Sequence, residues 1–96
     1  MILEHAILNL KPNQEEEFEK AFSEAKQYIE QQKGFISLEL QKCIEHHDKY
    51  LLLVKWEDIE AHELGFRQSE GYQHWKKLLH HFYEPFPVVE HYKIII

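Results

Sequence analysis

Apolar positions change their period along the chain, and each change marks an element. Residues 2–10, "ILEHAILNL", alternate loosely and are rich in aliphatic side chains, the pattern of a first strand. Pro12 removes a ladder donor and helps to end it. From Asn13 to Gln32 the period becomes helical: Phe18, Phe22, Ala25 and Ile29 recur at i, i+4, i+7 and i+11, with Ala21 and Tyr28 beside them. Asn13 with Glu16 three residues on is a capping-box pattern, Glu15–Glu17 suit the positive end of the helix dipole, and Gly34 is placed to cap the other end. Alternation returns in "FISLELQKCI", with Ile36, Leu38 and Leu40 on one face and Ser37, Glu39 and Gln41 on the other. After the polar turn at residues 45–49, "YLLLVKWED" predicts a third strand, so residues 35–57 form a hairpin. Asp58 opens a short helix, "DIEAHELGF". A second helix, "SEGYQHWKKLLHHF", follows with Ser69 as its cap, and Pro85 and Pro87 stop it before a last strand, "VVEHYKIII".

The order β-α-β-β-α-β predicts an α+β, ferredoxin-like fold: a four-stranded antiparallel sheet with two helices on one face. A sheet covered on one side should alternate, yet Tyr50–Val54 is apolar on both faces and the chain ends in three isoleucines. A second copy packed on the open sheet face accounts for this, so a homodimer is expected.

Composition narrows the classes. The 96 residues fit one domain spanning 1–96, and 44% hydrophobic with 14% aromatic residues suffice for a core. A net charge of -6 disfavours nucleic acid as a partner. Apolar runs such as Leu51–Val54 are far too short to span a membrane, and the N-terminus lacks the basic start of a signal peptide. The single cysteine, Cys43, excludes an internal disulfide and fits a reducing cytoplasm.

Eight histidines are the candidate chemistry. His74, His80 and His81 crowd the second helix, but His74 and His81, seven residues apart, are separated by roughly 10 Å of helix rise. Nitrogens on one tetrahedral zinc lie only about 3.5 Å apart, so no metal site is expected there. His74, between Tyr72 and Trp75, remains a candidate base, and His80 and His81 are taken as bystanders. His5 and His91 fall on the first and fourth strands, which neighbour each other in this fold, and are candidate bases that could meet across the sheet, with Glu4 and Glu90 on the other face. Against each stands the plainer reading of a solvated or packed histidine. His46, His47 and Cys43 supply too few ligands for structural zinc.

The segments "KGFISLEL" and "YLLLVKWED", followed by "EAHELGFRQSEGYQHW", resemble the antibiotic biosynthesis monooxygenase (ABM) superfamily over nearly the whole chain. The resemblance implies a dimeric α+β barrel. It also implies a small-molecule monooxygenase that works without a cofactor on a phenol- or quinol-like substrate held between sheet and helices. On that reading Phe66 and Tyr72 wall the substrate pocket, although both could simply pack the helices. A non-catalytic dimer that binds a metabolite is the alternative. The haem-degrading branch uses an asparagine, a tryptophan and an iron-binding histidine where this chain has Ala6, Phe66 and Lys76, so haem is disfavoured.

Overall fold

Strand pairing builds one sheet in the order β2-β3-β1-β4, and the computed structural model describes all residues 1–96. The elements are β1 (Ile2–Asn9), α1 (Glu15–Glu30), β2 (Phe35–Lys42), β3 (Lys49–Trp56), a π-helical segment (Ala61–Phe66), α2 (Glu70–Leu79), a 3-10 turn (His80–Phe82) and β4 (Val89–Tyr92). All three pairings are antiparallel, which gives the expected α+β, ferredoxin-like arrangement. No helix is long and apolar enough to cross a membrane.

The predicted stripe of α1 is its buried face: Phe18, Phe22, Ala25 and Ile29 are all inaccessible to solvent or nearly so. It packs against Leu8 of β1, Leu52, Val54 and Trp56 of β3, and Trp75 and Leu79 of α2. Phe18 meets Tyr50 with ring centroids 4.9 Å apart, and Phe22 meets Trp75 edge-on at 5.4 Å. Each such side chain contributes about 1.5–3 kcal/mol on burial, so this layer fixes the helices over the sheet. Ser69 caps α2 as expected, its Oγ accepting from the Tyr72 amide at 3.1 Å.

Four local expectations are corrected. Asn13 does not cap α1; it takes a left-handed φ of 61°, which asparagine tolerates, and Gln14 caps without a side-chain bond. α1 ends with Gln31, so Gly34 is not its cap but the turn into β2, with φ +87°. The last strand stops at Tyr92, and Ile94, Ile95 and Ile96 follow its end and are exposed. The segment after β3 is wound as a π-helix, closed by the Arg67 amide donating to the His62 carbonyl at 3.0 Å. Its entry is held by Asp58, whose Oδ1 accepts from the Ala61 amide at 2.8 Å.

The sheet's second face mixes Leu3, Ile7, Leu51 and Leu53 with Glu39, Lys55 and Glu90. Leu3, Leu51 and Leu53 are half-buried there, and Ile7 is exposed.

Candidate functional site

Alternation along β1 turns Ile2, Glu4, Ala6 and Leu8 toward the helices. A carboxylate therefore stands in an otherwise aliphatic row, and Glu4 is only 4% exposed. Its Oε1 accepts from the Trp56 indole Nε1 at 2.9 Å. The same oxygen lies 3.3 Å from Nε2 of His62, which is 3% exposed. The His62 ring stacks on the Trp56 indole at 5.3 Å and 16°. On its other side, His62 Nδ1 is hydrogen-bonded to His91 Nε2 at 2.8 Å. His91 sits half-buried on the edge strand β4, so the three groups run from the protein interior to its rim.

Burial sets their charge states. Desolvation lifts the Glu4 carboxyl to about 7, against partial relief from the Trp56 hydrogen bond and the Arg67 guanidinium. Desolvation, with Arg67 and His91 adding, pushes His62 down to about 3. His91 is also lowered, chiefly by burial; Glu63 opposes the shift and Arg67 adds to it. The Glu4–His62 contact is thus a carboxyl against a neutral imidazole, not an ion pair.

Glu4 and His62 face a cavity of about 430 Å³ between the sheet and the helices. Ala6, Leu8 and Leu52 form its floor, and Phe66, Tyr72 and Trp75 its aromatic wall. His80, Tyr83 and Phe86 complete its lining, and Arg67, the only arginine in the chain, brings the one fixed positive charge. Phe66 and Tyr72 meet edge-to-face at 5.2 Å. Burial lowers His80 and raises the Tyr83 hydroxyl, so both stay neutral at neutral pH. No group of three or more His, Cys, Asp or Glu side chains converges as a metal-binding set.

Of the residues expected from sequence, Phe66 and Tyr72 line this cavity. His91 reaches it through His62. His5 does not meet His91: the β1–β4 register sets Glu4 opposite His91 and His5 opposite Glu90. Residues paired across antiparallel strands share a face, so His5 and Glu90 belong to the open side. His74 is exposed and stacks on Tyr28 of α1 at 4.8 Å, away from the cavity, whereas His80, taken as a bystander, is part of the wall.

Set beside known proteins, residues 1–78 match the family described as antibiotic biosynthesis monooxygenase. The chain belongs to the ABM family. It is 53% identical over 93 residues to the uncharacterized protein YczJ of Bacillus subtilis (strain 168), covering 97% of this chain and 98% of that one. The crystal structure of a "putative antibiotic biosynthesis monooxygenase" from Bordetella bronchiseptica superposes with a TM-score of 0.92 at 30% identity, over 99% of this chain and 97% of that chain. SnoaB, a cofactor-independent oxygenase from Streptomyces nogalater, superposes with a TM-score of 0.74 at 18% identity, over 94% and 86% of the two chains. At that identity the likeness to SnoaB is one of fold.

Within this ABM domain, sequence reasoning passed over His62 and treated Glu4 only as edge charge. One signal was available for Glu4: at period two it interrupts the row Ile2, Ala6, Leu8. His62 lies in a segment whose π winding no helical period announces.

Proposed function

We propose that this ABM-family chain is a monooxygenase that oxidises a small quinol- or phenol-like molecule in the cavity between sheet and helices, with no flavin or metal. The observation that carries the reading is Glu4: a carboxyl in the cavity wall, held by Trp56 and brought by burial to about 7, where a general base works best. A cavity of about 430 Å³ with aromatic walls also suits a single small planar ligand.

In this mechanism Glu4 takes a hydroxyl proton from the bound quinol. Arg67 offsets the charge of the anion left behind, and Tyr72 orients it by hydrogen bonding. The electron-rich anion forms a C–O bond with dioxygen, giving a ring peroxide. Glu4 returns a proton to the peroxide, and loss of the ring C–H proton with cleavage of the O–O bond then leaves a carbonyl and expels water. Quinol and dioxygen thus become a hydroxylated quinone and water, and the substrate supplies both electrons.

Leu3, Ile7, Leu51 and Leu53 on the open face form the contact of a symmetric dimer in this reading. Cytoplasmic residence belongs to the same reading, Cys43 being the only thiol. An oxygen-electrode screen of the purified protein against a panel of hydroquinones tests the function. Oxygen uptake above the uncatalysed rate is expected; ligand binding with no uptake by any of them would instead mark a metabolite-binding dimer.

A further inference from the structure

The π segment and β4 contribute two histidines that the chemistry above does not use. Glu4 lines the cavity wall and is only 4% exposed, so with a ligand in the cavity its carboxyl exchanges protons with solvent only through a connected group. His62 Nε2 is 3.3 Å from that carboxyl, and His62 Nδ1 is 2.8 Å from His91 Nε2. His91 Nδ1 is the free nitrogen of a half-buried ring on an edge strand.

We propose that His62 and His91 form a two-ring proton relay joining Glu4 at the cavity to solvent beside β4. In the outward step the Glu4 carboxyl proton passes to His62 Nε2. The His62 Nδ1 proton passes to His91 Nε2, and the His91 Nδ1 proton leaves to water. Both rings have then exchanged tautomers, and Glu4 is a carboxylate again. In the inward step His91 Nδ1 takes a proton from water, His91 Nε2 returns one to His62 Nδ1, and His62 Nε2 returns one to Glu4. The monooxygenation itself releases no net proton, since the expelled oxygen leaves as water. One outward and one inward transfer per turnover therefore reset the chain.

The surroundings suit a relay that carries protons without storing them. Glu4 faces Trp56, His62, Arg67 and Tyr83, and His91 faces His62, Glu63 and Arg67. Arg67, beside all three members, disfavours a doubly protonated ring. Glu63, facing only the outer ring, favours protonation there, at the solvent end. The stacked indole of Trp56 holds the His62 plane in line with both partners. His62 and His91 thereby act as positioning and proton-transfer residues, with Glu4 the group that touches substrate.

The turnover arm of the test rests on the proposed function; the tautomer arm does not. In protein labelled with ¹⁵N-histidine, long-range ¹H–¹⁵N spectra report which ring nitrogen of His62 carries the proton. The relay requires the Nδ1–H form while Glu4 is protonated and the Nε2–H form once it ionises, with a shared midpoint near pH 7. Glu4→Gln should abolish the switch. A His62 that keeps one tautomer from about pH 5.5 to 8.5 while Glu4 titrates overturns the relay. With a quinol that wild type oxidises, His91→Gln should slow oxygen uptake roughly 100-fold, and added imidazole should restore it. Unchanged uptake in His91→Gln also overturns the relay. A wild-type protein that switches tautomer yet oxidises no quinol overturns the function and leaves the relay standing.

Discussion

Glu4 and His91 stand directly opposite each other on β1 and β4, on the helix side of the sheet, and His62 bridges them. One consequence is an unusual pH dependence of stability. Glu4 has a folded pKa of about 7, above its ordinary 4.5, so the folded state binds the proton more tightly. The associated stability is complete below about 4.5 and is lost as pH rises through 7. His62 works the other way: its folded value of about 3 lies below 6.5, so its contribution is complete above 6.5 and is lost as pH falls toward 3. The two slopes oppose one another across weakly acidic pH. Glu4→Gln keeps an acceptor for Trp56 and removes the buried charge. At about 1.4 kcal/mol per pKa unit, it should stabilise the protein at pH 8 by about 1–3 kcal/mol and change little at pH 4. Urea denaturation at both pH values measures this.

Trp56→Phe tests the indole. The Trp56 hydrogen bond is the largest effect holding the Glu4 pKa down, so losing the donor should move the Glu4 midpoint upward from about 7. The midpoint can be followed by ¹³C-carboxyl NMR. Stability should also fall, because Trp56 is fully buried and a smaller ring leaves a void.

The stripe of α1, the alternation of β2 from Ser37 to Gln41 and the Ser69 cap were legible in the chain, because each rests on a local period or a local hydrogen bond. A bulge between Phe35 and Ser37 puts Phe35 on the core face in place of the expected Ile36, which is exposed. The site was not legible. The meeting of Glu4 with His91, rather than His5 with His91, is decided by a register between strands about 87 residues apart in sequence, and a slip of one residue would set His5 opposite His91 and Glu4 opposite Tyr92. His62 enters the site through π winding, in a segment whose first residue, Ala61, lies against Gly34, about 27 residues earlier in the chain. His74 looked promising beside Tyr72 and Trp75, but helical geometry turns it outward onto Tyr28.

Gly34→Ala probes that packing. At φ +87° a side chain is strained, and a Cβ there would sit 2.6 Å from the Ala61 Cβ, at the start of the segment carrying His62. The substitution should cost about 1–3 kcal/mol in urea denaturation and should shift the His62 and His91 ring resonances, which lie far from residue 34 in sequence.

The proposed dimer is tested at Leu53, half-buried on the open face opposite His5 and Glu39. Sedimentation should give twice the 11.7 kDa chain mass for wild type and one chain mass for Leu53→Lys, with the helical content unchanged. A wild-type monomer at micromolar concentration would remove the dimer.

The most direct test of the account is a comparison of wild type with Glu4→Gln under ¹⁸O₂, using whichever hydroquinone supports oxygen uptake. The account predicts one labelled oxygen in the quinone product and one in water for wild type, and a rate at least about 100-fold lower for Glu4→Gln. Equal rates and equal labelling in the two proteins would contradict it.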